Sequence, residues 1–197
     1  MFIIVYLILD SDINLGVFMS NNLLKVVFFL LCFSFFVFAE SEKTEVEKDG
    51  SEVLGYWVGY DDSTNIKNSV IYVYKHDDKV YGRILNVIKD GKVYDINNPS
   101  GSKVVGFEHL STEGLDFMWG LRYIKSADKW DYGKIIDPKN GKIYTSEMRV
   151  DSKTGNLVTK GKVWIFGRSK VWTRAKEDEV PSLNVEGIIP EPPVTER

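Results

Sequence analysis

The sequence predicts an all-β protein, a small antiparallel up-and-down barrel of about eight strands. Three observations predict it. From Val53 onward apolar residues alternate with polar ones at a period near two. Turn signals interrupt that alternation at short intervals, and no segment sustains a capped stripe of period 3.6. A meander of short strands leaves two open edges, and closing on itself removes them. A barrel of this size is either filled by its own side chains or holds one small ligand.

Taken in chain order, "GYW" (55–57) opens the first strand. "SVIYVYK" (69–75) is rich in β-branched and aromatic residues, and "KVYGRILNVI" (79–88) returns from the turn "HDDK". Asp90-Gly91 is a type I′ hairpin signal, because both residues tolerate positive φ, and "NNPSGS" (97–102) is another turn. The stretch 103–116 is read either as strand plus loop or as one short helix. "FMWGLRYIK" (117–125), "KWDYGKII" (129–136), "KIYTSEMRV" (142–150), "NLVTKGKVWIF" (156–166) and "SKVWTRA" (169–175) complete the strands. Between them, "DPKNGK" and "DSKTGN" repeat one turn design. Asp137 and Asp151 cap backbone N–H groups, while Gly141 and Gly155 supply the left-handed residue. Asp137 is therefore a turn former rather than a catalytic carboxylate.

The N-terminal segment carries an address. Val26–Phe38 is an apolar run of thirteen residues after "MSNNLLK" and before Ala39. It is read as the core of a secretory signal peptide at 19–39. Thirteen residues fall short of the roughly 20 a spanning helix needs, though Leu23 and Leu24 extend the run toward a retained anchor. Residues 1–18 place Asp10 and Asp12 where positive charge belongs, so Met19 is read as the start. The one cysteine, Cys32, lies inside the apolar run. The mature chain thus excludes disulfides, a thiolate nucleophile and cysteine-based zinc. No cofactor or metal is expected.

Charge divides the chain. Residues 40–52 carry two lysines against six acids, and 176–197 carry two basic residues against six acids. The intervening 53–175 has twenty basic and fourteen acidic residues. The arms read as an acidic linker and a disordered, proline-containing acidic tail, or as shields for the basic face of the domain.

The blocks "GYW" (55–57), "VIYVYKHDDKVYGRI" (70–84), "WGL" (119–121), "WDYGKIIDPKNGKIY" (130–144), "LVTKGKV" (157–163) and "VWTR" (171–174) carry a resemblance. In this order and spacing they resemble a family of exported bacterial proteins, domain of unknown function 2147. The resemblance implies a signal peptide followed by one β-rich domain and brings no established activity. Cysteines common in the family near 90–102 are absent here, so any cysteine-dependent role is excluded, and the acidic tail is extra. More loosely, Gly55-Tyr56-Trp57 and Arg174 are similar to lipocalin-like barrels. That likeness implies a last-strand arginine packed over the first-strand indole, closing one end. The alternative is a plain core Trp57 with Arg174 on the surface.

Arg83, Trp119, Tyr123, Trp130 and Tyr144 are the candidate lining of a ligand cavity, with aromatic walls and one orienting cation. A filled core is the competing reading. If Phe166–Arg168 formed the last loop, Lys160, Lys162, Trp164, Lys170, Trp172 and Arg174 would share one basic–aromatic face. Turning Arg174 inward would then drag Lys160 and Lys162 in with it, unless Gly161 or Gly167 sat in a bulge. His76 and His109 stand apart in sequence without a nucleophile beside them, so no catalytic residue is assigned. The expected protein is an extracytoplasmic, periplasmic or secreted, non-catalytic monomer that binds a small apolar or amphipathic molecule. It would make no nucleic-acid contact and keep no stable membrane span once the signal is cleaved. The alternative is a structural or interaction module of the cell envelope, using its basic–aromatic outer face on an envelope component.

Overall fold

The structure, a computed structural model, describes residues 48–194 apart from 164 and 165. The assignments made for residues 1–18, the 19–39 signal, Cys32, most of the 40–52 arm and Trp164 lie outside the described residues. Eleven strands are present among those described: β1 Gly55–Tyr60, β2 Lys67–His76, β3 Lys79–Lys89, β4 Lys92–Tyr94, β5 Lys103–Val104, β6 Phe107–Ser111, β7 Asp116–Ile124, β8 Lys129–Ile136, β9 Ile143–Val150, β10 Leu157–Val163 and β11 Phe166–Arg174. Eight of these close a ring of antiparallel neighbours, β1-β2-β3-β7-β8-β9-β10-β11 and back to β1. The chain therefore folds as the closed up-and-down barrel its alternation predicts. The ambiguous 103–116 stretch is strand and loop, with β5 and β6 pairing as a separate hairpin.

Turn chemistry sets the corners. Asp90 and Gly91 have φ of 51° and 71°, and Lys89 pairs with Lys92 across them, a two-residue hairpin into β4. Asp137 accepts from Lys139 N–H at 2.9 Å and from Asn140 Nδ2 at 2.9 Å, while Gly141 N–H closes on its carbonyl at 2.8 Å. Asp151 accepts from the N–H groups of Lys153 and Thr154, and Gly155 N–H returns to its carbonyl at 2.8 Å. A third copy escaped the sequence reading. In "DDSTNI", Asp61 accepts from the N–H of Ser63 and Thr64, and Asn65 takes the glycine's place at φ 54°. Asparagine, which tolerates the left-handed region, disguised the repeat.

Gly141 and Gly155 share a conformation, φ 68° and 69°, but not an environment. A Cβ at Gly155 meets nothing within 4 Å, whereas one at Gly141 collides with the Val105 carbonyl oxygen. Val105 N–H also donates to Pro138 O at 3.0 Å, so the β5–β6 hairpin docks on this turn. Gly155→Ala is expected to cost about 1–2 kcal/mol, the left-handed penalty alone. Gly141→Ala is expected to cost more and to raise amide exchange across 103–111. Equal losses in urea melts would contradict that docking.

Inside the ring, Trp57, Ile71, Val73, Val80, Met118, Leu121, Met148 and Leu157 are each 0% exposed and belong to one cluster with Trp130 and Trp172. The barrel is filled. Bulges adjust the wall: Val70 pairs with Asn86 and Ile71 with Ile84, which leaves Leu85 unpaired. Tyr132 sits at φ 63° in another irregularity and is 67% exposed.

The last hairpin corrects the sequence reading. Val163 pairs with Phe166, Lys160 with Ser169 and Val158 with Val171, so the connection is the two residues 164–165 rather than Phe166–Arg168. That changes the pairing by an odd number of positions, and side-chain facing inverts with it. Leu157 and Thr159 now lie opposite Trp172 and Lys170 on the inner side, while Lys160 and Lys162 lie on the outer side. The conflict over Arg174 dissolves without a bulge at Gly161 or Gly167. So does the single basic–aromatic outer face.

Candidate functional site

One end of the barrel is stoppered by the residues before β1. Ser51–Val53 form a single 3-10 turn, entered through Gly50 at φ 75°. Such a short turn leaves carbonyls without internal partners; Ser51 O is taken by Leu54 N–H within the turn, and the barrel supplies donors for four of its neighbours. Trp130 Nε1–H donates to Gly50 O at 2.8 Å, and Trp57 Nε1–H donates to Val53 O at 2.8 Å. Arg174 donates through Nη2 to Glu52 O and through Nη1 to Leu54 O, each at 2.6 Å. Its guanidinium carbon stands 3.8 Å from the centre of the Trp57 ring, a cation–π contact on an indole that is 0% exposed. Trp57 and Arg174 are direct register partners in β1 and β11. Arg174 thus lies over the indole rather than apart from it on the surface.

Gly50 has to be glycine. Its φ is positive, and a Cβ would lie 2.5 Å from Tyr123 Cδ2 and 2.7 Å from Trp130 Nε1. Tyr123 packs against Trp130, ring centres 5.4 Å apart, and its hydroxyl donates to Asp128 Oδ1 at 2.9 Å. Desolvation first, then the hydrogen bond and charge of Asp128, push the Tyr123 phenol up to about 12. It stays neutral at physiological pH.

Beside this stopper lies an open cleft of about 620 Å³ with Tyr123 and Trp130 among its lining residues. Among the described residues, Lys75, Lys79, Arg122, Lys48 and Lys125 line it together with the acids Asp49 and Asp78. Lys79 and Arg122 are direct register partners, two cations side by side. Like charges placed opposite each other on a sheet repel, and an anion between them removes the repulsion. Lys48 is already engaged with Asp128.

The five residues assigned to a cavity are thus separated. Tyr123 and Trp130 reach this end cleft. Tyr144 shares the face of Ser146 and Met148, both 0% exposed, and is half-buried toward the opposite end. Trp119 pairs with Lys134, which register puts on the outer side of the wall, yet it is 3% exposed. Arg83 is not an interior cation. It pairs with Tyr72 on the outer face and forms a two-point ion pair with Asp116, Nε to Oδ1 at 2.8 Å and Nη2 to Oδ2 at 2.6 Å. Alternation in "VYGRIL" permits either face, since Val80 and Ile84 compete with Tyr81 and Leu85. The structure turns the first pair inward.

Sequence reasoning missed Asp116, which is 0% exposed and also accepts from the Tyr74 hydroxyl at 2.8 Å. It stands at the end of the 103–116 stretch, which the sequence left open between strand plus loop and one short helix. Gly50 was hidden in an acidic stretch read as linker. His109 is exposed on β6, and His76 ends β2 with 41% of its side chain exposed. Among the described residues no group of three or more His, Cys, Asp or Glu could hold a metal ion, and no helix is long and apolar enough to cross a membrane.

A family model described as an uncharacterized protein conserved in bacteria, DUF2147, matches residues 55–174. A similar solved structure is protein HP1028 from the human pathogen Helicobacter pylori, described as belonging to the lipocalin family. It is 18% identical, with 64% of this chain and 84% of that chain covered and a TM-score of 0.49. No curated protein matches the chain.

Proposed function

The chain belongs to the DUF2147 family of bacterial proteins, and we propose that it is an exported, non-catalytic binding barrel that takes a small anionic amphiphile at its stoppered end. The observation that carries this reading is the cleft of about 620 Å³, which joins the Tyr123 and Trp130 rings to a basic rim. Its size suits one small molecule. Its chemistry suits an apolar body laid on aromatic rings and an acidic head held between Lys79 and Arg122. Because the barrel interior is filled, the ligand sits at the end of the barrel rather than among the core side chains. Export rests on the apolar run Val26–Phe38 behind Lys25 and the small Ala39 that ends it.

The test uses decanoate and decylamine, equal chains with opposite heads, titrated against tryptophan fluorescence. Decanoate is expected to bind saturably and decylamine weakly. Charge reversal at both Lys79 and Arg122 should weaken decanoate by about tenfold or more, while Trp119→Ala should leave it unchanged. Equal binding of the two amphiphiles, or indifference to the double reversal, would overturn the reading.

A further inference from the structure

The segment after β11, read from sequence as a disordered tail, makes defined contacts on the outside of the barrel. Lys67 pairs with Glu179 at the start of β2, Arg83 Nη2–H donates to Ile189 O at 3.0 Å, and Glu191 N–H donates to Asp116 Oδ2 at 2.6 Å. The segment thus runs from the beginning of β2 to the beginning of β7. Burial alternates along it. Pro181, Leu183 and Val185 are half-buried, and Ser182, Asn184 and Glu186 are exposed. After Gly187, at φ 68°, half-buried Ile188, Pro190 and Pro192 alternate with exposed Ile189 and Glu191. That is an extended chain with one side down. Val58 and Val70, which register turns outward, are 0% and 4% exposed, as buried as the core.

On the same outer face stands a ladder of tyrosines. Tyr56, Tyr72, Tyr74 and Tyr81 succeed one another at ring-centre distances of 4.8, 5.7 and 5.6 Å. Arg83 lies over Tyr74, 5.8 Å from its ring centre, and Asp116 binds the Tyr74 hydroxyl. The Arg83–Asp116 couple then meets the segment only through main chain, accepting N–H from residue 191 and donating to the carbonyl of residue 189. A carbonyl at one position and an N–H two positions later are the two groups a strand offers to a single residue of a parallel neighbour. Two side chains here play that neighbour. Proline fits between the two contacts, because the N–H it lacks would point away from the couple.

We propose that Arg83, Asp116 and the tyrosine ladder form a docking site for an extended, proline-containing peptide segment of another protein, with residues 188–192 as its built-in occupant. Recognition through main chain sets the shape of the partner rather than its sequence, and flat rings favour a chain already extended by proline. The ion pair neutralises its own charge, so the groove selects no strongly charged ligand. None of this depends on the end cleft, which lies on other residues.

The experiment keeps the full chain and substitutes Glu191→Pro, which deletes the N–H donor to Asp116 without touching the barrel. A fluorescein-labelled peptide of residues 186–193 is titrated against the unsubstituted protein and the variant. The variant, its own strap loosened, is expected to bind the peptide about tenfold more tightly. The same peptide with proline at the position of Glu191 should bind neither. Equal affinity for both proteins would overturn the proposal. So would dimerisation of the variant, which would assign the groove to the tail of a second copy. The variant should melt only slightly lower, by the one hydrogen bond the buried Asp116 carboxylate loses, and peptide binding by Arg83→Lys should fall even where its melt is preserved.

Discussion

Asp116→Ala is expected to lower stability by about 3–5 kcal/mol, the cost of stranding a buried charge when its partner is removed. Asp116 is 0% exposed and the Arg83 side chain only 15%, so water cannot replace what is lost. The substitution also orphans the Tyr74 hydroxyl and the Glu191 N–H. Burial first, and then the negative charge of Asp116, hold the Tyr74 phenol well above the usual tyrosine range. Its ionisation should therefore move to lower pH in the variant. Urea melts measure the first effect and ultraviolet titration the second. Arg83→Met combined with Asp116→Leu should recover much of the loss, because two apolar groups leave no charge behind. A loss below about 1 kcal/mol in the single variant would show a couple that is solvated rather than buried.

Trp57→Ala should be of similar size, about 3–5 kcal/mol, because a fully buried indole leaves a cavity that the strands around it cannot collapse. It also removes the donor to Val53 O and the ring beneath Arg174. Trp57→Phe keeps an aromatic face for the guanidinium and loses the N–H. It should fall between alanine and the native protein, with about 1–3 kcal/mol assigned to the orphaned carbonyl. Calorimetry of the three proteins orders them. If phenylalanine proved as costly as alanine, the hydrogen bond rather than packing would dominate the closure.

Much of this architecture was legible because turns and strands are local. Asp137 with Gly141 and Asp151 with Gly155 place two corners by side-chain chemistry within five residues, and alternation places most strands between them. What was not legible depends on counting across a loop or on partners far along the chain. In the last hairpin one loop residue decides which way Lys160, Lys162, Trp172 and Arg174 face, and glycines on both strands gave no fixed point. Arg83 finds Asp116 thirty-three positions later and Ile189 one hundred and six positions later. No periodicity within β3 carries that information. Of the candidate lining, Tyr123 and Trp130 meet because they are cross-strand neighbours in a short β7–β8 hairpin. Trp119 and Tyr144 were grouped with them by alternation, which does not tell one end of the barrel from the other and slips a face wherever a bulge intervenes.

The stopper has a consequence in time. Its keystone is Arg174, which reaches back 122 positions to the Glu52 carbonyl and 120 to that of Leu54. Each hairpin can form as soon as its own two strands exist, but the ring waits for the final strand. A chain emerging from its N-terminus therefore holds Trp57 uncovered and β1 unpaired on one side until almost all of it has been made. Closure is the slow, long-range step of such a topology, and residue 174 works as its latch. Until then the growing chain is an open ribbon, with the edge of β1 that faces β11 bare.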